Sequence, residues 1–187
     1  MSTLERVTEG RKRRRKHAAV VLGFCRDHAG ELALVLVERT ARGRHAGQLA
    51  LPGGNLKGSD ADLAAAAVRE TCEELGIAAD QVTILEQLPA VDTATTGYRV
   101  WPFAARLKPG AKQRWHPQAD EVAAVIEMPL RQLAAAEALG EDEFEFPGWQ
   151  APRTMPTRTV DGHVVWGLTL RLIEAYLPDA LAGRWPV

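Results

Sequence analysis

A chain of 187 residues with 46% hydrophobic and 25% charged residues has the composition of one globular domain that can bury its own core. A formal net charge of -1 excludes a whole-molecule field that would gather nucleic acid or an anionic membrane surface. Two cysteines, Cys25 and Cys72, are too few for a disulfide scaffold, and no apolar run reaches the roughly 18–20 residues of a spanning helix.

The first residues are polar and close on Arg11-Lys12-Arg13-Arg14-Arg15-Lys16, six positive charges in six positions. Residues 1–17 read as a basic flexible arm and 18–187 as a single domain. No aromatic residues alternate with the basic run, so base stacking is unsupported and nucleic acid is not the expected partner. No apolar segment precedes the run. A secretory leader is therefore not expected, and two free thiols point to a reducing cytoplasm.

Residues 18–24 form a short apolar run typical of a buried strand. Asp27-His28-Ala29-Gly30 supplies a turn, and 32–37 is a second apolar strand, so the two predict a hairpin. Residues 39–47 are a basic, glycine-containing loop, 48–51 a short extended piece, and Pro52-Gly53-Gly54 a sharp break. Ser59 or Asp60 can cap a helix that runs to about Leu75 and stops at Gly76. Strands follow over 82–88 and 98–107, where Pro102 suggests an edge or a bulge. A further strand covers 122–128, a short helix 129–139, and a long acidic and aromatic loop 140–156. Asp161-Gly162 is a strong two-residue hairpin signal within 158–166, and 167–177 is an amphipathic closing helix. Strands and helices mix without regular βαβ alternation, which favours an α/β sandwich with a mixed sheet.

The chemistry concentrates in Arg69-Glu70-Thr71-Cys72-Glu73-Glu74-Leu75-Gly76. At about 100° per residue, Glu70, Glu73 and Glu74 share one helical face. Leu63, Ala64, Ala66, Ala67 and Cys72 or Leu75 give the other side a stripe of mostly small residues that can pack on a sheet. Carboxylates gathered beside a packed face repel one another unless a cation neutralises them, and oxygen-only ligands suit Mg²⁺ or Mn²⁺ better than zinc. A bare Glu-x-x-Glu-Glu is usually a solvated acidic face. Here Gly53-Gly54 lets the backbone come close, and Arg69 can pin a carboxylate with two prongs.

The segment 54–77 resembles the Nudix box, G-x5-E-x7-R-E-U-x-E-E-x-G-U with U aliphatic. Gly54, Arg69, Glu70, Glu73, Glu74, Gly76 and Ile77 match. Asp60 stands where the pattern has Glu, eight residues rather than seven separate it from Arg69, and Thr71 stands at an aliphatic position. The longer spacing is similar to that of the coenzyme A diphosphatase branch. That branch also carries a basic signature ending in Pro-Gly-Gly, matched here by Arg39, Thr40, His45, Gly47 and Pro52-Gly53-Gly54, with Arg44 or Arg42 as the second arginine. Thr96-Gly97-Tyr98-Arg99-Val100 with Pro102, and Val165-Trp166-Gly167-Leu168-Thr169, resemble two further segments of the branch.

The resemblance implies a Nudix-like αβα sandwich. It also implies metal-dependent hydrolysis of a diphosphate in a nucleotide derivative, coenzyme A or an acyl-coenzyme A first, giving 3′,5′-ADP and (acyl-)4′-phosphopantetheine. ADP-ribose, a dinucleotide, capped RNA or a non-catalytic nucleotide-binding role are the alternatives. Glu73 and Glu74 are implied metal ligands, with Glu70 and the Gly54 carbonyl beside them. Glu70 or Glu121, the latter just before the 122–128 strand, can serve as the base. Arg39, Arg44 and His45 are candidates for substrate phosphates. Tyr98 either stacks on adenine or packs in the core. Trp149 and the single histidines His28, His116 and His163 read as loop residues. No membrane partner is expected, and the oligomeric state stays open, a homodimer being one option.

Overall fold

The computed structural model describes residues 16–40, 47–93, 97–109, 114–145 and 149–187. Strands β1 (Lys16–Arg26) and β2 (Leu32–Arg39) form the expected antiparallel hairpin, with Gly23 opposite Val35 and Arg26 opposite Leu32. Lys16 and His17, assigned above to the arm, belong to β1: His17 pairs with Arg99, and its Nδ1 accepts a 3.0 Å hydrogen bond from the Trp101 indole. Two short strands follow, β3 (Leu49–Ala50) on β2 and β4 (Gly53–Asn55) on β1. Gly53-Gly54 therefore does not simply break the chain but pairs with β1.

Helix α1 (Leu63–Leu75) is capped by Asp62, whose carboxylate accepts from the Ala65 N–H at 2.8 Å, and not by Ser59 or Asp60. It ends, as expected, at Gly76 in the left-handed region (φ 64). A Cβ there would stand 1.8 Å from the His116 carbonyl oxygen, so only glycine fits both the dihedral and the space. The main sheet continues with β5 (Val82–Gln87), β6 (Val91–Asp92), β7 (Tyr98–Leu107) and β8 (Val122–Pro129).

The order through the sheet is β3-β2-β1-β7-β5, with β4, β6 and β8 pairing β1, β7 and β2. Only β1 and β7 run parallel among these pairs, so the sheet is mixed, as expected. Strand β7 is interior, which overturns the edge reading of Pro102. The Pro102 carbonyl accepts from Leu88 N–H, where the chain leaves β5 on its way to β6. A strand residue directs its N and O to the same side, so the missing N–H would have answered the Leu88 carbonyl, and the proline forgoes only that one reciprocal bond where the β5 pairing ends.

Beyond β8 come α2 (Leu130–Ala134), a 3-10 turn, β9 (Leu139–Phe144), β10 (Arg153–Val160), β11 (His163–Trp166) and α3 (Gly167–Leu181). The short helix thus stops earlier than expected. The acidic stretch read as a loop is an edge strand of a second, three-stranded sheet, order β11-β10-β9. Its residues 139–143 are all exposed, so no apolar alternation marks it; backbone pairing with β10 makes the strand. The Asp161-Gly162 hairpin holds, both residues having positive φ as a type I′ turn needs. Helix α3 outruns its expected end by one turn and accommodates Pro178.

Strand β2 divides the core. Ala33, Val35 and Val37 pack toward α1 with Ala66, Ala67 and Leu75, while Leu34 and Leu36 pack toward α3 with Leu170 and Ile173. Burial on both faces explains the unbroken apolar run of β2, and each such leucine contributes about 1.5–3 kcal/mol. The result is an α/β sandwich with α1 on one face and α2, α3 and the small sheet on the other. Among the described residues no helix is long and apolar enough to cross a membrane.

Candidate active site

Because α1 lies flat on the sheet, its three glutamates differ in exposure. Glu74 falls on the buried arc with Ala67 and Thr71 and is only 6% exposed. The Glu70 side chain is 13% exposed and that of Glu73, at the rim, 42%. Thr71, at the aliphatic position, is fully buried, and its hydroxyl has no hydrogen-bond partner.

Strand β4 meets this face. Gly53 N–H donates to Glu74 Oε2 at 2.9 Å. At Gly54 a Cβ would stand 2.6 Å from the Glu70 carboxyl carbon, so glycine alone lets that carboxylate lie against the backbone. Burial pushes the Glu74 carboxyl up to about 7; the Gly53 N–H and then Arg39 act against this, while Glu70 and Glu121 add to it.

Arg39 and Glu121 thus act on Glu74 from outside the helix. The register of β2 on β8 shifts between Glu38 and Arg39, which sets Arg39 opposite Val122, the residue after Glu121. The junction is closed by Thr40 N–H donating to the Glu121 carbonyl and the Thr40 hydroxyl to the Asp120 carbonyl. Arg44 and His45 lie outside the described residues. The Tyr98 ring lies 5.6 Å from Lys16 Nζ, and its backbone bonds Thr93. Arg153 lies over the Trp149 ring, 4.9 Å from its centroid.

Sequence reading missed Lys57 and misread Asp60. Arg69 makes two hydrogen bonds to Asp60, at 2.8 and 3.0 Å, and further ones to Glu70, Glu73 and the Asn55 carbonyl. Asp60 in turn accepts from Lys57 N–H, and Lys57 Nζ stands 3.7 Å from both Glu70 and Glu73. The added residue between Asp60 and Arg69 was the available signal that this loop has its own geometry. Arg69 first, then the Lys57 N–H, holds the Asp60 carboxyl down to about 2. A lowered folded-state value contributes stability above the ordinary carboxylate value near 4 and loses it as pH falls. The melting-temperature advantage of the wild type over Asp60→Asn is therefore expected to shrink between about pH 4 and pH 2. A difference that stays constant through this window would discount the pairing.

Among the described residues no three acidic, histidine or cysteine side chains converge as a finished metal cage. Glu70 and Glu73 turn instead to Arg69 and Lys57. The donor set nevertheless fits a hard divalent ion: three carboxylates of graded exposure, an abutting glycine backbone and no soft ligand among them. The buried thiol, Cys25, belongs elsewhere. It packs beside Arg114, and burial pushes it up to about 12.

A family profile described as "NUDIX domain" matches residues 14–150. The chain is 44% identical over 117 residues to an "Uncharacterized Nudix hydrolase NudL" of Citrobacter koseri, a match covering 62% of this chain and 58% of that relative's length. A protein of the same name from an Enterobacter species is 40% identical over 170 residues, covering 86% of this chain and 80% of the relative. Among solved structures, the Nudix hydrolase RenU of M. smegmatis superposes with a TM-score of 0.52 at 24% identity, over 64% of this chain and 74% of that one. A MutT/nudix family protein of Enterococcus faecalis gives 0.54 at 14% identity, over 89% and 62%. These two likenesses speak for the fold alone.

Proposed function

The chain belongs to the Nudix family, and from that premise we propose that it hydrolyses a diphosphate bond in a nucleotide derivative, with coenzyme A or an acyl-coenzyme A as substrate. The observation that supports this reading best is the gathering of Glu70, Glu74, Glu121 and Arg39 at one end of the sheet, beside the Gly53-Gly54 backbone. The coenzyme A branch is favoured by the sequence pattern around Arg39-Thr40, His45 and Trp166-Gly167.

Glu70, Glu73, Glu74 and the Gly54 carbonyl would hold Mg²⁺ or Mn²⁺. Such an ion, when bound, neutralises phosphate oxygens and acidifies water. Gly53 N–H fixes the Glu74 carboxylate. Arg69, anchored by Asp60, sets the directions of Glu70 and Glu73. Glu121 or Glu70 takes the proton from the attacking water, and Arg39 binds a phosphate oxygen with a charge-assisted hydrogen bond. The proposed setting is a reducing cytoplasm, which suits two free thiols.

The test incubates the protein with coenzyme A, ADP-ribose, a dinucleoside polyphosphate and capped RNA, each with Mg²⁺, Mn²⁺ or chelator, and identifies products by mass. Metal-dependent release of 3′,5′-ADP and 4′-phosphopantetheine is expected, and Arg39→Ala should raise KM for coenzyme A about 10–100-fold. Turnover of a different substrate alone would remove the coenzyme A assignment. No turnover of any by folded, metal-bound protein would favour a non-catalytic nucleotide-binding role.

A further inference from the structure

Across the sheet from the carboxylates, a cavity of about 370 Å³ opens between the β2–β3 hairpin and the small sheet, lined by Glu38, Gln48, Phe144, His163 and Trp166 among others. Its volume falls within the ~300–1,000 Å³ of small-molecule sites. We propose that this cavity receives the amino-bearing aromatic base of a nucleotide whose phosphates lie toward Arg39; this deepens, and for the rest of the ligand rests on, the diphosphatase reading.

Three features carry the assignment. The Phe144 and Trp166 rings, both lining the cavity, stack on each other at 3.9 Å between centroids and 12° between planes, an aromatic stack that a further planar ring can extend. Glu38 adds a carboxylate, which repels phosphate and accepts hydrogen bonds from an exocyclic amine. Gln48 and His163 supply further polar groups for ring nitrogens.

Location supplies the third. Consecutive strand residues project to opposite faces, so the end of β2 offers Glu38 to the cavity and Arg39 to the carboxylates. The hairpin is closed by Arg39 N–H to the Gln48 carbonyl and Gly47 N–H to the Arg39 carbonyl. The Trp166-Gly167-Leu168-Thr169 segment is tied to it by the Thr169 hydroxyl, which donates to the Leu49 carbonyl at 3.2 Å. Two segments conspicuous in the sequence, distant along the chain, thus build one cavity, and the base of the basic hairpin is its shared wall.

The test measures binding of ADP, inosine diphosphate and 4′-phosphopantetheine in chelator, following the indole N–H signals by NMR with Trp166 assigned from Trp166→Phe. ADP is expected to move the Trp166 signal and to bind about tenfold tighter than inosine diphosphate, which carries a 6-oxo group in place of the amine. Glu38→Gln, an isosteric change that should leave the fold intact, is expected to erase that preference. A Trp166 signal unmoved by ADP, equal affinities in the wild type, a preference surviving in Glu38→Gln, or displacement of ADP from Trp166 by phosphopantetheine would each overturn the base site. If no substrate is hydrolysed while the ADP effects persist, the diphosphatase reading fails and the base site stands. Hydrolysis with Trp166 silent removes the base site alone.

Discussion

Glu73→Gln is expected to lower kcat by a factor on the order of 10³ while leaving the melting temperature almost unchanged. The two halves of this expectation have separate causes. Glu73 is the most exposed of the three helix glutamates, and its partners Arg69 and Lys57 hold it in ion pairs that water screens. Such pairs contribute about 0–1 kcal/mol, and glutamine keeps the shape and most of the hydrogen bonding. Catalysis depends on the charge. A neutral amide is a poor ligand for a hard cation, and losing one preorganised group that stabilises a transition state costs about 10²–10³ in rate. Hydrolysis of the best substrate and thermal unfolding measured on the same preparation check both halves. Activity above one tenth of wild type would remove Glu73 from the proposed metal ligands, and a large fall in melting temperature would mean that the charge serves the fold.

Gly53→Ala should cost about 3 kcal/mol or more of stability, lowering the melting temperature by about 6–12 °C. Gly53 has φ +144, a conformation that L side chains rarely adopt, and its Cβ would stand 2.3 Å from the Ala19 carbonyl oxygen and 2.6 Å from Val20 Cα. Those are backbone atoms of a strand hydrogen-bonded to β7 as well as β4, so they cannot move aside as a side-chain tip would. Activity should fall too, because any shift of this peptide withdraws the N–H that holds Glu74. Gly58→Ala is the control: no atom lies within 4 Å of its Cβ and its φ is unremarkable, so a change within about 0.5 kcal/mol is expected. Equal melting temperatures for the two variants would show that β4 does not pack on β1 as described.

Local chemistry made the helix and its stop legible. Periodicity placed three glutamates beside a packed stripe, and Gly76 had to follow because a left-handed residue ends the helix. The hairpin at Asp161-Gly162 was equally local, since two adjacent residues suited to positive φ are sufficient to name the turn. Strand β2 could be read because burial on both faces leaves an unbroken apolar run. Strand β9 could not: its exposed acidic residues have no alternation, and only pairing with β10 makes them a strand. Pro102 misled for a related reason. A proline forbids one hydrogen bond, but whether that bond was needed depends on where the neighbouring strand leaves the sheet.

The candidate site divides along the same line. Sequence by itself determined the acidic helix face, the glycines that let backbone approach it, and the family, because these rest on spacings within one short segment. Tertiary structure alone decided that Glu74 is the buried member of the three, that Asp60 anchors Arg69 instead of capping the helix, and that a one-residue register shift sets Arg39 opposite Val122, next to Glu121. Those outcomes depend on contacts between segments far apart in the chain, whose energies are set by packing and strand register rather than by any neighbouring residue.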